Sequence, residues 1–209
     1  MIGLVMATPM EAQPFLEHQK WRRIDDGPVT LYQTEIGPEK IGIMLAVSGI
    51  GKVSSAVAAH LLICCHGVDG IFNFGVCGAL GSGKDFDPGK IYRISSAVEG
   101  DRKDGPRPAL PEPCHSHPFN LLPALRLVTY DQPVFNRRLK NELSNLGDLV
   151  DMEGAAIAKV ANMYSLPCVL IKGVTDGAEE DNRNLLIQNM DGVSRKLAAL
   201  FFETMALLS

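Results

Sequence analysis

Short apolar runs, each cut off by a turn signal, alternate along this chain with longer stretches of helical character, and that alternation limits its fold more than any other feature. Ile2–Ala7 ends at Thr8-Pro9, Gly70–Phe74 at Gly75, and Pro167–Val174 at Thr175-Asp176. All three are as apolar as strands buried on both faces. Thr30–Ile36 and Lys40–Val47, separated by Gly37-Pro38, read as a hairpin, and Lys90–Ala97 and Leu125–Thr129 as further strands. Ser54–Cys65 and Glu153–Tyr164 are alanine-rich and read as helices; Asn136–Leu146 is a third and Asp191–Leu208 a closing amphipathic one. Strands alternating with helices specify a layered α/β fold, and the early hairpin makes its sheet mixed. The expectation is a three-layer α/β/α domain around a central mixed sheet. With 209 residues, 46% hydrophobic and 21% charged, one such domain over residues 1–209 is expected, without internal repeats.

The formal charge of −4 gives no broad positive field for a phosphate backbone, so nucleic acid is not expected as a partner. No stretch approaches the roughly 20 apolar residues of a membrane span, and no basic segment followed by an apolar run opens the chain. A cytoplasmic protein acting on a small molecule is the expectation, with no membrane partner. Cys64, Cys65, Cys77, Cys114 and Cys168 form no regular framework and read as reduced thiols. Cys114-His115-Ser116-His117 lacks a partner pair at zinc-site spacing, so neither metal nor cofactor is expected. Gly78–Lys84 has the spacing of a phosphate loop, but Asp85 stands where a Ser or Thr must reach magnesium, and Phe86-Asp87-Pro88-Gly89 cannot start the helix that should follow. A glycine turn is the expectation there. Glu99–Pro123, rich in proline, charge and histidine, reads as a long loop serving as a lid or subunit contact.

Five short motifs carry a more specific message. They are Ile2-Gly3 with Pro9-Met10-Glu11-Ala12; Ser48-Gly49-Ile50-Gly51-Lys52-Val53; Asn73-x-Gly75-x-x-Gly78; Val150-Asp151-Met152-Glu153-Gly154-Ala155-Ala156; and Lys172-Gly173-Val174-Thr175-Asp176. In this order they resemble the methylthioadenosine/S-adenosylhomocysteine nucleosidases, members of the nucleoside phosphorylase and nucleosidase superfamily. The glycine loop Gly75-Val76-Cys77-Gly78-Ala79 and Met152–Ala156 are similar to the futalosine hydrolase branch. The resemblance implies hydrolysis of the bond between a purine and its ribose, no cofactor, and a homodimer in which the proline-rich loop reaches the neighbour's pocket.

An N-glycosidic bond leaves through a ribosyl cation, so such a site needs an acid for the departing base and an anion beneath the ribose hydroxyls. The resemblance assigns the acid to Asp176 and the ribose contact to Glu153, with Met152 packing on the sugar and Asp151 and Gly78 beside them. From the residues alone, Asp176 is also an ordinary polar residue after a strand and Glu153 an acid favoured at a helix start. Ile50 and Gly51 line the sugar side or simply turn the chain, and Lys52 reads as a solvated charge. Asp131, Gln132 and Val134 fall where the family's loop meets the base. Pro133 occupies the place of the family's stacking Phe, and Phe135 either supplies that ring or packs in the core.

The resemblance breaks at one position. A glutamate three residues after the first motif's methionine polarises the attacking water in the family, and that spacing leads here to Gln13, which cannot accept a proton. Glu11 is the available substitute. Phosphorolysis and nucleoside binding without turnover therefore stand beside hydrolysis as alternatives, although the motifs offer no arginine to clamp phosphate.

Overall fold

The computed structural model describes every residue except 28, 82–85, 105–106, 179–182 and 209. Residues 82–85, the end of the apparent phosphate loop, therefore lie outside the described residues. The chain runs β1 (Ile2–Met6), α1 (Pro9–His18), β2 (Arg22–Asp26), β3 (Val29–Ile36), β4 (Ile41–Val47), α2 (Lys52–His66), β5 (Gly70–Ala79) and β6 (Ile91–Glu99). Three two-residue strands follow inside the long loop: β7 (Lys103–Asp104), β8 (Arg107–Pro108) and β9 (Glu112–Pro113). Then come β10 (Ala124–Thr129), α3 (Arg137–Leu143), β11 (Leu149–Asp151), α4 (Gly154–Met163), β12 (Cys168–Asp176) and α5 (Arg183–Ala206).

The main sheet is mixed and flanked by helices on both faces, in the order β11-β10-β6-β12-β5-β1-β4-β3-β2. Its centre is parallel: β5 lies between β1 and β12, and β1 pairs with β4. The hairpin β3–β4 and the edge strand β2 are antiparallel. The other half curls back on itself, because β11 pairs antiparallel with the end of β5, Leu149 opposite Ala79 and Val150 opposite Gly78. β5, β12, β6, β10 and β11 thus form a closed ring, and the mouth of that ring is where the C-terminal ends of the parallel strands meet.

Besides the edge strand β2 and the short strands β7–β9 inside the expected loop, four elements depart from the sequence expectation. Thr8-Pro9 starts a helix: Thr8 caps α1 in a reciprocal capping box with Glu11, and Pro9 occupies a first-turn position where its missing N–H costs nothing. β5 continues through Gly75 to Ala79, so the glycine-rich segment begins as strand and not as a turn. α5 begins at Arg183, two turns before the expected Asp191. β11 is a short strand that no period announces.

α2 and α4 cover one face of the sheet, with Ala58, Leu62, Ala155 and Ala158 against Val5, Ile71 and Leu170. α1 and α5 cover the other: Phe15 and Phe201 pack on Phe74 of β5, and Phe202 packs on Phe15 and Phe201. Phe15 sits 5.8 Å from Phe74 and 5.7 Å from Phe201, ring centre to ring centre, and is 1% exposed. This aromatic cluster fixes α1 on the sheet beside the ring mouth. Phe15→Ala is expected to cost about 3–5 kcal/mol and to lower Tm by roughly 10 °C in calorimetry. A loss below about 1 kcal/mol would show that α1 is held by something else.

Candidate active site

At the ring mouth lies a cavity of ≈ 620 Å³. Its floor comes from the ends of β1, β5, β11 and β12, one wall from residues 132–135 after β10, and its roof from the first turns of α5 through Leu186, Ile187 and Met190. Glu11, Gly78, Asp151, Met152, Glu153 and Asp176 converge there from distant parts of the sequence, with Ile50, Gln132, Val134 and Phe135 at the walls. Phe135 lines the cavity, and Pro133 lies beside it. Asp131 does not: its carboxylate accepts the Lys52 N–H at 3.0 Å and serves the start of α2.

Gly51 acts through its backbone. Its N–H donates to Glu153 Oε1 at 2.8 Å, at a φ of +97° that disfavours any side chain, and an added Cβ would lie 2.9 Å from Asp131 Oδ1. Lys52, expected in solvent, has an 18% exposed side chain bonded to Asp101 at 2.6 Å and Glu99 at 3.3 Å. That network ties the Ile50–Lys52 turn to the Asp131 loop, since Asp101 also accepts the Asp131 N–H at 3.1 Å.

Gln13 is corrected. It is exposed, and its amide donates to Glu17 at 2.8 Å on the outer surface of α1. In a helix two residues are separated by about 200° of rotation, so a chain that turns Glu11 inward must turn Gln13 outward. Glu11 is 6% exposed and lines the cavity. Its Oε1 accepts the Val76 N–H at 3.1 Å, and its Oε2 accepts the Thr8 N–H at 3.0 Å and the Thr8 hydroxyl at 2.9 Å.

Asp151 borders the cavity, but its oxygens are occupied by the protein. Oδ1 accepts the Thr129 hydroxyl at 2.6 Å, and Oδ2 accepts the Gly154 N–H at 2.8 Å and pairs with Lys172 Nζ at 2.8 Å. Lys172, a motif residue with no role expected from the sequence, is 1% exposed in the middle of β12. A lysine in an otherwise apolar buried strand requires carboxylate partners, and that was the available sign. Burial opposes its charge, while Asp151, Glu153 and Glu11 together hold its pKa above the ordinary value. Gly75 makes the room: a Cβ there would meet Glu11 Oε1 at 3.1 Å and Lys172 Nζ at 3.2 Å.

Asp176 is 3% exposed, its oxygens accepting the Ala178 N–H at 2.7 Å and the Thr175 hydroxyl at 2.9 Å. Burial raises its pKa; those two donors and the charge of Lys140 pull the other way. Glu153 is pushed up to about 8, first by burial and then by the negative charge of Asp151, with Glu11 adding to it against Lys172 and the Gly51 amide. A carboxyl whose pKa rises on folding contributes stability that is full below its unfolded value and is lost as pH rises through the folded one. Wild type should therefore lose stability relative to Glu153→Gln between about pH 4.5 and 8, where the native state holds the extra proton. Thermal scans are expected to show the variant's Tm advantage growing by several degrees from pH 5 to pH 8. A constant gap across that range would contradict the assignment.

Residues 1–206 match the model of the Phosphorylase superfamily. Over 213 residues the chain is 26% identical to a 5′-methylthioadenosine/S-adenosylhomocysteine nucleosidase of Buchnera aphidicola subsp. Baizongia pistaciae, covering 85% of this chain and 79% of that protein. Its fold is similar to a Helicobacter pylori nucleosidase mutant of the same name with 5′-methylthioadenosine in the active site, at TM-score 0.89 and 22% identity over 98% of this chain and 97% of the other. It is also similar to the native futalosine hydrolase of Helicobacter pylori, at TM-score 0.88 and 23% identity over 100% and 97% of the two chains. With its mixed sheet closed at one end, its site at the ring mouth and a family match over nearly its whole length, the chain belongs to the phosphorylase superfamily.

Proposed function

We propose that this protein hydrolyses the N-glycosidic bond of a purine nucleoside of the methylthioadenosine/S-adenosylhomocysteine or futalosine type. One observation carries the choice of water over phosphate as nucleophile. The carboxyl groups of Glu11, Glu153 and Asp176 line one cavity, and among its described lining residues no Lys, Arg or His is present. Lys172 lies behind the wall, paired with Asp151, and Lys140, whose charge acts on Asp176, donates to the Gly177 carbonyl. A phosphate dianion would meet carboxylates without a clamp, whereas water needs only a base. The names of the relatives support the same reading.

In this mechanism Asp176, kept protonated more readily by its burial, gives its proton to a base nitrogen as the C1′–N bond breaks and the electron pair leaves with the base. Glu153 accepts hydrogen bonds from two ribose hydroxyls, which favour its ionised form, and its charge steadies the ribosyl cation. Glu11 takes a proton from a water whose oxygen bonds to C1′. Asp176 ends ionised and Glu11 protonated, and exchange with solvent restores both. Phe135 and Met152 line the cavity, and in this mechanism the first stacks on the base and the second packs on the sugar. Ile50, Leu186, Ile187 and Met190 make part of the wall apolar, which suits the apolar part of a 5′ substituent.

Homodimerisation belongs to the same proposal. Val53 and Val57, one turn apart on α2, are 76% and 44% exposed, and Met163 at the end of the adjacent α4 is 75% exposed. Exposed apolar side chains on these two neighbouring helices fit a second copy. Sedimentation should give twice the chain mass, and Val53→Asp should reduce it; a monomeric wild type at micromolar concentration would refute the dimer.

A screen of 5′-substituted purine nucleosides should release free base and the free sugar, unchanged by phosphate; ribose 1-phosphate as product would overturn hydrolysis. Asp176→Asn and Glu11→Gln should each lower kcat by about 10² to 10⁴, the range of lost acid or base catalysis. Gln13→Glu should stay within about twofold of wild type, as expected of a group outside the cavity.

A further inference from the structure

The general base assigned above is a glutamate, whose long side chain has rotamer freedom to lose before it can address a single water. Three donors from two elements remove that freedom. The Val76 N–H, from β5, holds Oε1; the N–H and the hydroxyl of Thr8 both hold Oε2. Thr8 Oγ1 in turn accepts the Glu11 N–H at 3.2 Å, which directs its proton toward the carboxylate. The two carboxylate oxygens are therefore unequal. Oε2 is occupied by two donors on the helix-start side, while Oε1 has one backbone donor and faces Gly75, the residue whose missing side chain leaves space beside Lys172.

We infer that Thr8 is the positioning residue of the general base: its hydroxyl saturates Oε2 of Glu11 and thereby leaves Oε1 as the atom that takes the proton from water. Thr8 lines the cavity, yet in this role it acts through Glu11 and not on the nucleoside. The inference rests on Glu11 being the base. The same capping box that starts α1 thus also aims the catalytic group, and loss of the hydroxyl frees the carboxylate to turn Oε1, with its single donor, away from the reacting carbon.

Thr8→Val removes the hydroxyl at nearly constant shape, and Thr8→Ser keeps it. With 5′-methylthioadenosine as the probe, Thr8→Val should lose about 10- to 100-fold in kcat, the scale of a misplaced reacting group, with KM within about twofold. Thr8→Ser should retain kcat within about threefold on the same argument. Should Thr8→Val fail to fold, Thr8→Gly gives the same test, since glycine is tolerated at a helix N-cap. A merely structural role would add its loss to that of Glu11→Gln. The positioning role predicts instead that Thr8→Val with Glu11→Gln is no slower than Glu11→Gln alone. Full kcat in Thr8→Val, a rise in KM alone, or additive losses in the double variant would each overturn the inference. If Glu11→Gln itself still hydrolyses the probe, it is the base assignment that fails, and the two failures are told apart by that single variant.

Discussion

Lys172 and Asp151 lie 2.8 Å apart inside the closed ring, their side chains each 1% exposed, and the rest of the site is arranged around that pair. Lys172 comes from the middle of β12 and Asp151 from the end of β11, strands that are not neighbours in the sheet order, so their contact spans the ring. Removing one partner from a buried pair typically costs about 3–5 kcal/mol, because the other is left charged and dry. Here the cost is compounded, since Glu11 and Glu153 also face the ammonium group. Without Lys172 three carboxyl groups would share a dry space. With it, Asp151 is neutralised and the other two turn toward the cavity.

The backbone supplies what the ion pair cannot. Glu11 stands in the first turn of α1 and Glu153 at the start of α4, so both acids sit at helix N-termini, where amide dipoles favour a carboxylate. Gly51 gives its N–H to Glu153 from the turn after β4, and Val76 gives its own to Glu11 from β5. Each acid is thus held by an element other than its own. The aromatic packing of Phe15 on Phe74 and Phe201 sets α1 at the depth where Glu11 can reach β5.

Much of this could be read in the sequence, and the omissions have physical causes. The apolar runs and alanine-rich helices announced the layers, and the motifs around Gly51, Glu153 and Asp176 announced groups that do meet in the cavity. Thr8-Pro9 was misjudged because proline was weighed as a breaker, although Thr-x-x-Glu with proline at the first helical position is a start signal. That error also displaced the acid expected at the cavity. Counting residues from Met10 led to Gln13, whereas helical geometry turns Glu11 inward and Gln13 outward. Gly75–Ala79 looked like a turn by composition, but those glycines are required by the close approach of Glu11, Lys172 and Asp176 to the strand. The ring closure of β11 on β5 depends on pairing between distant segments, which no local period reports.

The placement of Lys172 also bears on why a member of a superfamily named for phosphorylases would use water. A phosphate nucleophile needs a cation that faces the substrate, with donors free to take its oxygens. Lys172 is buried among the acids, its ammonium directed to Asp151 while Glu153 and Glu11 also act on it. The same charge that would attract phosphate from an exposed position serves here to keep two carboxylates side by side. Burying the cation behind the acids therefore does two things at once. It leaves the cavity without a Lys, Arg or His among its described lining residues, and it neutralises Asp151, so that Glu11 and Glu153 face the cavity.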